Sequence, residues 1–177
     1  MDNKQLQEII KLVRTVPDFP IPTIQFKDLT TVLKDPEAFR VINDRLAEFY
    51  AGKGITKVVG IEARGFICGA VLADRLHAGF VPLRKPGKLP ADTLKMTYKK
   101  EYGIDAIEIH RDAITPDDVV LIHDDLLATG GTMLGACKLV MRMKPKKIYV
   151  NFLCHLKEFD SLDVFPDEVE VMSLFEL

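Results

Sequence analysis

The stretch from Val119 to Thr132, V-V-L-I-H-D-D-L-L-A-T-G-G-T, leaves few folds open. Val119 to Ile122 read as a buried strand of a parallel sheet, because such strands are covered on both faces and lose their polar alternation. Two adjacent carboxylates, Asp124 and Asp125, stand at its carboxyl end. After Leu126 and Leu127 comes a turn of small residues, Ala128-Thr129-Gly130-Gly131-Thr132, and a helix is predicted to start at Thr132 or Met133. Open α/β sheets hold their ligands at the carboxyl ends of strands, so a binding site is expected here.

Residue types narrow the ligand. Glycines let the backbone take positive φ and come close to a bound group. The N–H groups opening a helix lack intrahelical acceptors, and the helix dipole favours an anion there. Thr129 and Thr132 add hydroxyl donors. Carboxylates only accept hydrogen bonds, so Asp124 and Asp125 suit sugar hydroxyls or a metal rather than phosphate. Phosphate at one end and a diol at the other describe a ribose 5-phosphate. No Gly-Lys-Ser/Thr follows the glycines, and G-x-G-x-x-G is absent, which excludes a Walker loop and the dinucleotide fingerprint. A bare T-G-G-T would better suit a plain strand-turn-helix with a capping threonine; the full string carries the ligand reading.

The 177 residues amount to about one domain, 1–177, and carry a net charge of only −2. That balance argues against an extended nucleic-acid surface, so phosphate binding must be local. No run approaches the ~18 apolar residues of a membrane span, and no signal-like segment opens the chain; a cytoplasmic location is expected. Cys68, Cys137 and Cys154 lie in apolar surroundings without metal-ligand spacing and read as reduced, buried thiols. The four histidines form no H-x-x-x-H, so no transition-metal site built by the protein is expected.

Strands and helices alternate along the chain. Residues 2–14 read as an amphipathic helix on Leu6, Ile9, Ile10 and Val13. Pro17, Pro20 and Pro22 break regularity, and F-P-I-P-T-I-Q-F-K-D-L reads as an ordered loop. Phe26 within it is either a core aromatic or a surface for stacking a base. Asp35-Pro36 opens a helix to about Tyr50, closed by Gly52 and Gly54. Thr56–Ile61 is a strand, ending in Glu62-Ala63-Arg64-Gly65 before a helix from Phe66 to Leu76. Arg64 there is a candidate anion ligand. Gly79–Leu83 is a strand followed by R-K-P-G-K-L-P, where Arg84, Lys85 and Lys88 fit an anion site stiffened by prolines. Ala91–Tyr102 reads as a polar, irregular lid and Ala106–Ile109 as its returning strand. The helix after Thr132 should bury Met133, Ala136, Cys137 and Val140 and end near Met143. Lys147–Leu153 is a further buried strand and Val169–Phe175 an edge strand. The alternation predicts an α/β fold with a central, mostly parallel sheet flanked by helices.

H-D-D-L-L-A-T-G-G-T resembles the phosphoribosyl-pyrophosphate (PRPP) signature of the type I phosphoribosyltransferases, in the form typical of their adenine-specific family. F-P-I-P-T-I-Q-F-K-D-L, D-P-E-A-F, V-V-G-I-E-A-R-G-F, F-V-P-L-R-K-P-G-K-L-P and E-Y-G-I-D-A-I-E-I-H extend the likeness, in order and spacing, from about Phe19 to Val150. The resemblance implies the type I phosphoribosyltransferase fold, with a small base-binding hood in residues 1–35 and a flexible lid loop at 84–103. It implies a purine-salvage reaction in which adenine and PRPP give AMP and pyrophosphate, with Mg²⁺ bound through PRPP rather than directly by the protein, in a homodimer.

The same likeness implies residue roles. Ala128, Thr129, Gly130, Gly131 and Thr132 would bind the 5-phosphate, and Asp124 and Asp125 the ribose hydroxyls. Arg64, Gly65, Arg84, Lys85, Lys88 and Tyr102 would serve the pyrophosphate. One of the cations would reach across the dimer. Phe26 would stack on adenine, with Gln25 and Lys27 beside it; the family usually carries Arg where Lys27 stands. Glu101 would exchange a proton with the purine. A cis peptide is implied at Glu62–Ala63. His123 stands where valine is usual and reads as structural. Lys27 keeps an oxo-purine transferase as an alternative. A PRPP-sensing regulator would need the basic nucleic-acid surface this chain lacks.

Overall fold

The computed structural model describes residues 3–99, 103–159 and 161–177. They divide into two units, one up to Glu48 and one from Phe49 to Leu177. The first contains α1 (Asn3–Lys11), β1 (Arg14–Pro17), β2 (Gln25–Asp28), α2 (Thr30–Leu33) and most of α3 (Pro36–Tyr50). Helix α1 stops earlier than the apolar spacing suggests, because Arg14 is already in a strand. β1 and β2 pair antiparallel with Arg14 opposite Asp28 and Val16 opposite Phe26, and β2 lies inside the segment read from sequence as a loop. Asp28 fixes the pair: its carboxylate accepts from the Arg14 guanidinium at 2.5 Å and from the Thr30 amide and hydroxyl at 2.9 and 2.6 Å. The Thr30 hydroxyl and then Arg14 draw its pKa down to about 2. Helix α3 starts where Asp35-Pro36 predicts, with Asp35 accepting from the Ala38 amide at 2.8 Å.

The second unit contains β3 (Lys57–Ile61), α4 (Gly65–Arg75), β4 (Gly79–Leu83), β5 (Thr93–Lys99), β6 (Ile104–His110), β7 (Val119–Leu127), α5 (Gly131–Met141), β8 (Lys147–His155), a 3₁₀ turn at Leu162–Val164, and β9 (Glu170–Glu176). Its sheet runs β4-β3-β7-β8-β9, every neighbouring pair parallel. β7 is the middle strand, and Val120, Leu121 and Ile122 are fully buried. β9 is an edge strand, as expected. The helix face predicted for α5 is buried, from Met133 through Ala136 and Cys137 to Val140. All three cysteines are buried and unbonded to one another.

Two further readings change. Ala91–Tyr102 is not irregular where it is described: β5 pairs with β6 along its whole length, Thr93 opposite His110 to Lys99 opposite Ile104. Leu94, Met96 and Tyr98 alternate onto the core, a period-two pattern hidden among lysines and threonines. β7 also runs beyond Ile122 through the acid pair to Leu127, because β8 continues to pair with it as far as His155. Among the described residues no helix is long and apolar enough to cross a membrane.

Candidate active site

Because strand residues alternate in direction, Asp124 and Asp125 leave β7 on opposite sides. Asp124 lines the cavities described below, whereas Asp125 is 3% exposed. Arg64, the residue capping α4, meets Asp125 with Nε 2.6 Å from Oδ2. The Asp125 amide donates to Asp124 Oδ1 at 2.9 Å. Burial pushes both carboxyls above the usual range; the Asp125 charge adds to the rise at Asp124, and Arg64 opposes it at Asp125.

The glycine turn follows directly. Gly130 sits at φ 80°, in the left-handed region that a side chain resists, and its carbonyl accepts from the Leu134 amide at 2.8 Å. Among the described residues no side chain caps α5, and the residues of its first turn line the cavity at its start. That cavity, about 110 Å³, is bounded by residues 128–132 together with Asp124. A second, of about 160 Å³, is lined by Glu62, Arg84, Lys85 and Tyr98. Asp124 and Thr132 line both, so the two adjoin.

The basic loop after β4 is held by carboxylates. Glu62 accepts from Arg84 Nε and Nη2 at 3.2 and 3.1 Å and from the Lys85 amide at 3.0 Å. These bonds, Arg84 first, keep its carboxyl below the usual value. Lys85 Nζ is ion-paired with Asp105 of β6. Arg84 also exchanges both backbone bonds with Glu108, whose carboxylate takes the Gly87 amide at 3.0 Å. Lys88 is exposed, its carbonyl accepting from Arg84 Nη1 at 3.2 Å. Gly65 opens α4 beside the main chain of β7, and the Glu62–Ala63 peptide is cis.

Arg64, Gly65, Arg84, Lys85, Asp124, Asp125 and residues 128–132 therefore converge in the second unit. Gln25, Phe26 and Lys27 lie on β2 of the first: Gln25 is exposed, Phe26 half-buried and edge-on to Phe19 at 5.2 Å, and Lys27 donates to Thr15 Oγ1 at 3.0 Å. Glu101 and Tyr102 lie outside the described residues. Sequence reasoning passed over Glu62, Asp105, Glu108 and Tyr98. Glu62 could have been found as an acid at a strand's carboxyl end; nothing in the sequence ties Asp105 to Lys85. His123 is buried, with Nδ1 2.8 Å from Asn151 Oδ1, and burial lowers its pKa to about 4, so it is neutral.

Residues 28–161 match the model of the phosphoribosyl transferase domain. Over 171 residues, 97% of each chain, the sequence is 57% identical to an adenine phosphoribosyltransferase of Bacteroides thetaiotaomicron. The chain belongs to the adenine phosphoribosyltransferase family. Two solved members of that family share the fold. The Rhodothermus marinus enzyme superposes with a TM-score of 0.94 at 48% identity, covering 99% of this chain and 100% of that one. The Giardia lamblia enzyme, solved in complex with 9-deazaadenine, gives 0.91 at 39% identity over 97% of both chains. The type I phosphoribosyltransferase fold expected from the signature is thus the fold observed, and the adenine family takes precedence over the oxo-purine alternative.

Proposed function

We propose that the two adjoining cavities hold PRPP and that the chain transfers its 5-phosphoribosyl group to adenine, giving AMP and pyrophosphate in purine salvage. One observation carries the reading: Asp124 and Thr132 line both cavities, which joins the glycine cradle to the Arg84–Lys85 loop. Residues 128–132 take the 5-phosphate through amides and hydroxyls. Asp124 accepts from the ribose hydroxyls, and Asp125, paired with Arg64, completes the acid couple. Arg64, Gly65, Arg84, Lys85 and Lys88 serve the pyrophosphate, where guanidinium and ammonium stabilise the charge that develops as it leaves.

Departure of pyrophosphate gives the anomeric carbon oxocarbenium character, so water must be excluded while the base attacks. Residues 84–103 cover the site, steadied by the pairing of β5 with β6, with Tyr102 sealing it and Glu101 exchanging a proton with the purine. Residues 1–35 supply the base hood, where Phe26 stacks on adenine and Gln25 and Lys27 flank it. Mg²⁺, when bound through PRPP, neutralises charge on the leaving group. The donor set fits that ion: Asp124 lines the cavity beside the Arg84–Lys85 loop, and Mg²⁺ takes its oxygens largely from phosphates and water. The enzyme works as one domain, 1–177, in a cytoplasmic homodimer, without nucleic-acid or membrane partners; the −2 net charge supports the lack of a nucleic-acid surface and the buried thiols a reducing compartment.

The test is AMP formation from adenine and PRPP by the parent, Asp125→Asn and Glu101→Gln. The parent turns over, and Asp125→Asn loses most activity. A parent that is inactive with adenine, or an Asp125→Asn variant as fast as the parent, refutes the reading.

A further inference from the structure

Lys85 does not face the cavity with its charge unmatched. Its Nζ is ion-paired with Asp105, and that carboxylate is anchored independently of Lys85. Asp105 Oδ1 accepts from the Ala106 amide at 2.8 Å, and Oδ2 lies 3.4 Å from the Tyr98 hydroxyl. Asp105 and Tyr98 are direct partners in the β5–β6 register. Tyr98 is held in turn, since its ring lies so close to Gly135 of α5 that a Cβ there would meet it at 3.0 Å. The carboxylate is therefore fixed to the hairpin, whereas Lys85 ends a flexible four-carbon stem. If Lys85 turns to another anion, Asp105 stays behind.

We propose that Asp105 is a positioning residue that competes with pyrophosphate for Lys85: it holds the ammonium beside the cavity before PRPP enters and recaptures it as the product leaves. This rests on the assignment of Lys85 to the pyrophosphate end. While pyrophosphate occupies Lys85, the Asp105 carboxylate is left without that cation, which raises the free energy of the product complex and favours release. Arg84 differs, because its partner Glu62 also takes the Lys85 amide and so ties that loop to the end of β3. Of the two cations beside the pyrophosphate, Arg84 thus also shapes the loop through Glu62, whereas Lys85 exchanges anions.

The experiment is calorimetric titration of Mg·pyrophosphate, and separately AMP, into the parent, Asp105→Asn, Lys85→Met and the double variant. The Lys85–Asp105 pair is partly exposed, with side chains 39% and 23% accessible. Removing such a competitor should tighten pyrophosphate binding by roughly fivefold at low salt. The gain shrinks as salt screens the charges. AMP, which has no pyrophosphate, binds parent and Asp105→Asn alike. In the Lys85→Met background the Asp105→Asn gain disappears. A residue that merely supported the fold would weaken both ligands when replaced. Asp105→Ser gives the same readout if Asn impairs folding. Equal or weaker pyrophosphate binding by Asp105→Asn, or a gain that survives Lys85→Met, overturns the proposal. A parent that binds AMP but no Mg·pyrophosphate removes the pyrophosphate assignment, and this role falls with it.

Discussion

Replacing Gly65 by alanine should damage the acid pair from behind. A Cβ at this position would lie 2.8 Å from the His123 carbonyl oxygen, 3.1 Å from Asp124 Oδ1 and 3.3 Å from Asp124 Cα. Ordinary contact begins near 3.4 Å, so about 0.6 Å of movement is needed. The obstacle is main chain, not a side chain that can rotate. β7 at His123 is paired to β3 on one side and β8 on the other, which holds that carbonyl in place. Alanine is favoured over glycine by ~1 kcal/mol inside helices, but Gly65 is the first residue of α4 and gains little of that. Overpacking of this kind costs ~1–3 kcal/mol, so a net loss of about 1–2 kcal/mol is expected. The strain falls on the residue carrying the Asp124 carboxylate. A ~1 Å misplacement in a catalytic site can cost about 10²-fold, and the smaller shift here should lower kcat/KM for PRPP by about tenfold. Urea unfolding and steady-state AMP formation measure the two effects. Gly69→Ala is the control: its added Cβ meets the Phe80 ring edge at 3.2 Å, a side chain that can yield, and stability should change by less than about 1 kcal/mol. If Gly65→Ala is as stable and active as the parent, the close-approach argument is wrong.

Asp124→Asn should stabilise the ligand-free protein while removing PRPP binding, since a binding carboxylate is kept at a cost to stability. Burial makes the folded form hold this proton more tightly than the unfolded chain does. The penalty is therefore absent below about pH 4 and grows as pH rises through the folded-state value. Thermal unfolding should show a higher Tm for Asp124→Asn at pH 7.5 and none of that gain at pH 3.5. His123→Val should lose about 1–3 kcal/mol by leaving the buried Asn151 amide unmatched, and adding Asn151→Val should recover most of it in denaturant titrations. Burial pushes the Cys137 thiol up to about 12, so a thiol reagent at pH 8 should leave it unlabelled in the native protein and react in denaturant.

The order of elements was legible in the chain because its signals are local. The apolar run at Val119–Ile122 marks the central strand. The Asp35-Pro36 cap and the glycines after Tyr50 bound α3. The turn at Gly130 marks a candidate anion cradle before any neighbour is known. Family likeness then supplied the reaction and the residue roles. Short-range signals failed where pairing decides the outcome. β1 and β2 are four-residue strands separated by a proline-rich connection, stable only through each other and the Arg14–Asp28 contact. β5 is visible as a strand only once β6 and the core give its alternating Leu94, Met96 and Tyr98 a face to cover.

The site divides in the same way. Sequence alone named the carboxylates, the glycine cradle and the cations, since each is defined by what its own functional groups can donate or accept. Tertiary structure alone decided what those groups do to one another. It put Asp124 into the cavities and Asp125 against Arg64, and it gave Arg84 to Glu62 and Lys85 to Asp105. Charge acts through space, so a pairing between residues twenty positions apart exists only after the sheet and hairpin have brought the strand ends together.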